Sequence, residues 1–223
     1  CHAMYTCTTG YENVAAGHNA LYHLTNANYN VAFGTKAGLN VTTGDLNTLL
    51  GFQAGYNVST SSAHTFVGGY AGYSCATNSD NTYIGAYSGY YATNQPNTVV
   101  GYRAFQGTSS ANGYGNTVVG YQAMKDAADG GNNNTALGYE AGVLNTTGSS
   151  NTVLGYYSGR NISTGAQNIL IGNNVGTYVT NLTTGQRNIL IGAYARISSS
   201  SETDEITIGY NLTGKGTNTA FIG

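Results

Sequence analysis

The sequence predicts an all-β parallel solenoid. Three observations carry that expectation: a short near-repeat that runs the length of the chain, a fixed column pattern inside each repeat, and a composition almost free of charge. The repeat is N-[T/V/I]-x-[apolar]-G. Its thirteen glycines are Gly17, Gly34, Gly51, Gly68, Gly85, Gly101, Gly120, Gly138, Gly155, Gly172, Gly192, Gly209 and Gly223, at intervals of 14 to 20 residues and most often 17. A period of this size marks a stacked array in which one repeat is one coil and no coil buries its apolar face alone. About thirteen coils are expected. Residues 1–12 form an N-terminal cap or frayed segment, residues 13–223 form one array, and the whole reads as part of a longer fibre.

Only 7% of the residues are charged, against roughly 25% in an ordinary soluble domain. No apolar run approaches the ~20 residues that a membrane-spanning helix needs, so membrane insertion is not expected. The many aromatic and β-branched residues argue against disorder. A stack explains the low charge directly. Equivalent side chains lie about 4.8 Å apart in neighbouring coils, where like charges repel but Asn, Thr or Tyr can hydrogen-bond or stack. The net charge of −2, with its basic residues scattered singly, gives no footprint for nucleic acid.

Each coil is read from its key glycine. One residue before it stand Leu50, Val67, Ile84, Val100, Val119, Leu137, Leu154, Ile171 and Ile191; three before it stand Val14, Val31, seven threonines from Thr48 to Thr152, then Ile169, Ile189 and Ile206. Positions two apart share one face of a strand, so these two columns are expected to fill the coil interior. Two before the glycine come Leu49, Phe66, Tyr83, Val99, Val118, Val153 and Leu170. A strand apolar on both faces is buried on both, so this middle column is expected to point outward and to be covered by another copy of the chain.

After the glycine the pattern reads as a second short strand. Its solvent-facing column holds Lys36, Tyr70, Tyr87, Arg103, Glu140, Tyr157 and Tyr194, and a packed column of Ala or Ser follows. Tyr70, Tyr87, Arg103, Tyr157 and Tyr194 are the candidate ligand ridge, because tyrosine stacks on sugar rings; singly exposed tyrosines also need no function at all. Asn opens ten strands, at Asn13, Asn30, Asn47, Asn81, Asn97, Asn116, Asn134, Asn151, Asn168 and Asn188. Stacked amides can bond coil to coil and satisfy turn backbone, which makes these a structural ladder.

No catalytic, cofactor or metal site is expected. The four histidines are not clustered and no C-x-x-C occurs. Cys1 and Cys7 either pair or stay free, and Cys75 fills a small-residue position. The densest acidic clusters, Glu202, Asp204 and Glu205, then Asp126 and Asp129, read as solvated loop charge, so a polysaccharide hydrolase, which needs two carboxylates facing one groove, is a second alternative only. Seven sequons follow the repeat's own register and read as composition. The seven threonines in register raise an ice-binding alternative. Their exchange with Val and Ile fits an interior better than a hydroxyl-dependent face.

Segments such as 134–159 (NTALGYEAGVLNTTGSSNTVLGYYSG) and 47–72 (NTLLGFQAGYNVSTSSAHTFVGGYAG) resemble a repeat found in phage tail-fibre-like proteins and related bacterial surface proteins. The chain is also similar to the head repeat of trimeric autotransporter adhesins, whose unit winds a left-handed parallel β-roll, although the period here is longer. The resemblance covers about residues 13–213. It implies a left-handed, homotrimeric or filamentous rod, extracellular on a cell surface or virion, that projects or adheres and possesses itself and surface glycans as partners. None of these roles is enzymatic.

Overall fold

The computed structural model describes residues 2–76, 78–93, 96–108, 112–128, 131–177 and 180–223. Cys1 and Asp129, both named above, lie outside them. The described chain contains thirteen strands of three residues each: β1 (Val14–Ala16), β2 (Val31–Phe33), β3 (Thr48–Leu50), β4 (Thr65–Val67), β5 (Thr82–Ile84), β6 (Thr98–Val100), β7 (Thr117–Val119), β8 (Thr135–Leu137), β9 (Thr152–Leu154), β10 (Ile169–Ile171), β11 (Ile189–Ile191), β12 (Ile206–Ile208) and β13 (Ala220–Ile222). They form a single sheet in sequence order, every neighbouring pair parallel. Thirteen strands make twelve complete turns of a β-solenoid.

Strand register is constant although loop length is not. Thr82 pairs with Thr98 across 16 residues, Thr65 with Thr82 across 17, and Ile169 with Ile189 across 20. The amide ladder explains this. At most rungs the Asn Oδ1 accepts the backbone N–H and the side-chain Nδ2–H of the next Asn, as in Asn47 onto Asn30 (2.9 and 3.0 Å) and Asn151 onto Asn134 (2.9 and 3.2 Å). Most of these Nδ2 groups also hold their own coil's loop carbonyl, such as Gly148 O for Asn134 and Gly165 O for Asn151 (2.9 and 2.8 Å). The ladder pins the start of every strand, so extra residues accumulate in the loop, where length is tolerated. From Asn30 to Asn188 these side chains are buried, which satisfies amides that would be costly if left unpaired.

The two strand faces are the reverse of the sequence expectation. The middle residue of each strand is the core: Leu49, Phe66, Tyr83, Val99, Val118, Leu170 and Leu190 are 0% exposed and Val153 is 3% exposed. Leu137 is 45% and Leu154 39% exposed, and Leu50, Val67, Val100, Val119, Ile171 and Ile191 are half-buried. The expected interface residues Leu49, Phe66, Tyr83, Val99, Val118, Val153 and Leu170 therefore lie inside their own coil and cannot meet another copy. The physical reason is parity. The ladder Asn, two residues before the middle position, points inward, so the middle residue must do so too.

The interior is filled by size compensation. A side chain added at Gly72 would run into the Phe66 ring, and one at Gly89 into Tyr83. Where the strand supplies only Val99 or Val118, the position equivalent to those glycines holds Phe105 or Met124, both buried. Cys75 continues an interior line with Leu24, Val41, Val58, Ala92, Ala127 and Ile162. Close packing of this kind makes each core residue depend on its neighbours in adjacent coils.

Among the described residues no second strand follows the key glycine. The backbone turns instead, because the residue two after it is left-handed throughout, with φ of 53 to 60° at Lys36, Tyr70, Tyr87, Arg103, Tyr157 and Tyr194. The key glycine itself sits at φ of 119 to 146° from Gly17 to Gly209. A Cβ at Gly51 would stand 2.6 Å from the Gly68 carbonyl, so this corner admits only glycine.

Candidate functional site

Inverting the strand faces puts two columns on the outside of one sheet. The first comprises Val14, Val31, Thr48, Thr65, Thr82, Thr98, Thr117, Thr135, Thr152, Ile169, Ile189 and Ile206; the second runs from Phe33 and Leu50 through Leu137 and Leu154 to Ile208 and Ile222. No charged residue occurs in either. Twelve strand spacings of about 4.8 Å give a face of ~58 Å, and two columns about two residues apart make it ~10 Å wide. The resulting ~600 Å² exceeds what single scattered apolar residues leave in water. Val14, Phe33, Ile84, Leu137, Leu154, Ile169 and Ile222 are its most exposed members.

The threonines divide this face along its length. Thr98, Thr117, Thr135 and Thr152 are exposed, and Thr48, Thr65 and Thr82 half-buried. Among the described residues none of these seven hydroxyls has a hydrogen-bond partner in the protein. The idea that threonine alternates with Val and Ile because the column is internal is thus overturned: the column is external, and β-branched residues suit a strand surface equally well.

Beside this face, just past the glycine corner, runs an aromatic ladder built from the residue that directly follows the key glycine, a position that is aromatic in coil after coil of the sequence. Tyr102, Tyr121, Tyr139 and Tyr156 stack coil on coil, with ring centroids 5.5, 4.9 and 5.3 Å apart and interplanar angles of 21, 10 and 20°. These rings and Phe52 are exposed. The expected ridge one residue later is half-buried at Tyr70, Tyr87, Arg103, Tyr157 and Tyr194, and Glu140 is buried. The left-handed backbone there ends the in–out alternation and lays these side chains along the rod. Tyr70 stacks on Tyr87 at 5.0 Å, and the Arg103 guanidinium covers the Tyr87 and Tyr102 rings at 5.7 and 5.3 Å. Another column, Tyr56, Tyr73 and Tyr90, which the sequence reading missed, stacks at 5.0 and 4.9 Å beside it. Burial raises the Tyr73 and Tyr90 hydroxyls above their ordinary range, and neighbouring tyrosines add to the shift. The signal for this column was tyrosine recurring at the repeat period, five residues after the key glycine.

The acidic residues are individually tied down. Arg187 forms a forked ion pair with Asp204 (2.7 and 2.8 Å), which holds that carboxyl below its usual range. Glu205 is buried and accepts from Ser198 N, Ser198 Oγ and Gly216 N. Glu202 accepts from Ser199 and Thr217, and these bonds lower its pKa. Asp126 pairs with Lys125 at 2.6 Å and Glu140 with Arg160 at 2.9 Å. Among the described residues no group of three or more His, Cys, Asp and Glu is placed to hold a metal ion. No helix among them is long and apolar enough to cross a membrane.

His64 replaces Asn at one rung of the ladder. Its backbone N–H donates to Asn47 Oδ1, its Nδ1 accepts from Asn81 N at 3.3 Å, and its Nε2 lies 3.1 Å from Ser61 Oγ and 3.7 Å from Cys75 Sγ. Burial lowers the His64 pKa to about 4 and pushes the Cys75 thiol up to about 12. Both groups are held neutral and unreactive.

No family model matches this chain, and no curated protein or solved structure matches it either.

Proposed function

We propose that the chain is a structural rod segment that works as a homo-oligomer, a fibre shaft or head of the phage tail-fibre or bacterial surface-adhesin kind, located outside the cell and without enzymatic activity. One observation supports this best: the uncharged outward face of the sheet, lined with Leu, Ile, Val and Phe along its whole length. Its area is close to the ~800 Å² per partner of a standard protein interface. The exposed tyrosine ladder at its edge supplies aromatic area of the kind that enriches such contacts. An uncharged face is complementary to itself, and closed rotational symmetry is the usual arrangement for identical chains, with a trimer consistent with the resemblance. Glycan contact is the less supported half of that resemblance, because the stacked tyrosines present ring edges rather than the faces that pack on sugars.

Mass photometry of the isolated chain tests the reading. We expect a discrete oligomer, reduced to monomer by Leu137→Lys with Leu154→Lys, two outward positions whose substitution leaves the core intact. A wild-type monomer that stays soluble at high concentration would overturn it. A second reading, an ice-binding face, has its own supporting observation in the seven threonine hydroxyls without protein partners. It requires a monomer that slows ice-crystal growth and loses that effect when Thr98, Thr117 and Thr135 are replaced together by Lys.

A further inference from the structure

The outward face is uniform in shape but not in chemistry. On β3 to β9 its first column is threonine throughout. On β10 to β12 both columns are isoleucine: Ile169, Ile171, Ile189, Ile191, Ile206 and Ile208. The register is continuous across the change, Thr152 pairing directly with Ile169. Nothing in the fold requires the switch, since Thr and Ile occupy the same position on strands of the same length.

The two segments behave differently when covered. Burying the isoleucines removes only apolar surface from water. Burying the threonines also strips water from seven hydroxyls that have no partner within their own chain, and a buried hydroxyl without a hydrogen bond is unfavourable. A column of such groups at one strand spacing suits bridging water, which satisfies both sides of an interface at small cost. Water needs room and two or more polar partners, and facing threonine columns provide both.

Building on the self-association proposed above, we propose that the isoleucine-clad strands β10–β12 are the dry anchor through which copies of this chain bind one another, and that the threonine-bearing strands β3–β9 form a water-lined continuation of the same contact. The occupant of the anchor is a second copy. Its six isoleucines carry no charge that would select a different partner, and each equivalent strand offers the same pair of residues to a symmetry mate. Dry packing at one end fixes the rotational position of the chains, and the hydrated segment aligns them without demanding tight complementarity.

The test exchanges the two chemistries using residues that the solenoid already accepts at these positions. Ile169→Thr, Ile189→Thr and Ile206→Thr together extend the threonine column, and Thr98→Ile, Thr117→Ile and Thr135→Ile together extend the isoleucine column. Association is measured on the full chain by analytical ultracentrifugation, with circular dichroism to show that both variants keep the wild-type spectrum. We expect the first variant to raise the dissociation constant by roughly a hundredfold, and the second to leave it unchanged or lower it. Dissociation within threefold of wild type for the isoleucine-to-threonine variant, or a tenfold weakening for the threonine-to-isoleucine variant, would overturn the anchor while leaving self-association in place. A wild-type chain that never associates would overturn the underlying reading itself. Should either variant lose its β spectrum, the single changes Ile189→Thr and Thr117→Ile replace them under the same criteria, scaled to about a fivefold effect.

Discussion

At a single rung of the amide ladder an imidazole stands where every neighbour is an amide. His64 can hold the rung only when Nδ1 is unprotonated, because that atom accepts the Asn81 N–H. The groups around it are Ser61 Oγ, Cys75 Sγ and the Phe66 ring, stacked at 4.6 Å; none is charged in the fold, and burial outweighs the backbone hydrogen bonding at Asn78 and Asn81 that favours an imidazolium. The folded pKa of about 4 lies below the ordinary 6.5. Between those values the unfolded chain holds a proton that the folded chain does not. Stability is therefore complete above pH 6.5 and declines as the pH falls to about 4, a loss of about 3 kcal/mol if the whole shift is realised. Urea denaturation at pH 7 and pH 4.5 should show this decline in the wild type and a much smaller one in His64→Asn. An equal pH response in the two would place its origin elsewhere.

At the scale of the strand, burial rather than apolar character decides energetics. Leu170→Ala should destabilise the monomer by about 2–5 kcal/mol through lost burial and a residual cavity. Leu137→Ala, in the outward column, should cost under about 1 kcal/mol. Thermal unfolding at concentrations low enough to keep the chain monomeric separates the two, and similar losses would contradict the face assignment. The strand that ends at each key glycine was legible in the sequence, because the glycine recurs in all thirteen repeats and Asn opens ten of them, whereas the second strand expected after the glycine is a left-handed turn. Which face points inward was not legible. With three residues per strand, and apolar or β-branched side chains at all three, hydrophobicity carries no direction. Two subtler signals did: the ladder Asn shares parity with the middle residue, and the bulky Phe66 and Tyr83 answer Gly72 and Gly89 across the coil. The left-handed corner at Tyr70 or Arg103 had no signal, since bulky residues rarely adopt it.

Across the whole molecule, the outward columns contain no charge, and the ion pairs lie elsewhere, at Lys125–Asp126, Arg160–Glu140 and Arg187–Asp204. Association through the sheet face should thus be nearly indifferent to salt. We expect the dissociation constant to change by less than about threefold between roughly 0.05 and 0.5 M salt, since screening acts on charges and not on apolar contact. A steep salt dependence in sedimentation would locate the contact on the loops that carry those ion pairs. An outward uncharged stripe along the sheet was legible in the sequence, and its residues were misassigned for the same reason of parity.

The ladder that absorbs loops of unequal size has one more consequence. Where one asparagine rung follows another and presents the next with the same two bonds, a coil is an interchangeable unit: one may be duplicated or removed between equivalent asparagines, and the strands on either side still meet in step. Reach then becomes a quantity set by counting, adjusted in increments of one strand spacing, with repacking confined to the core residues of the two coils that the change brings together.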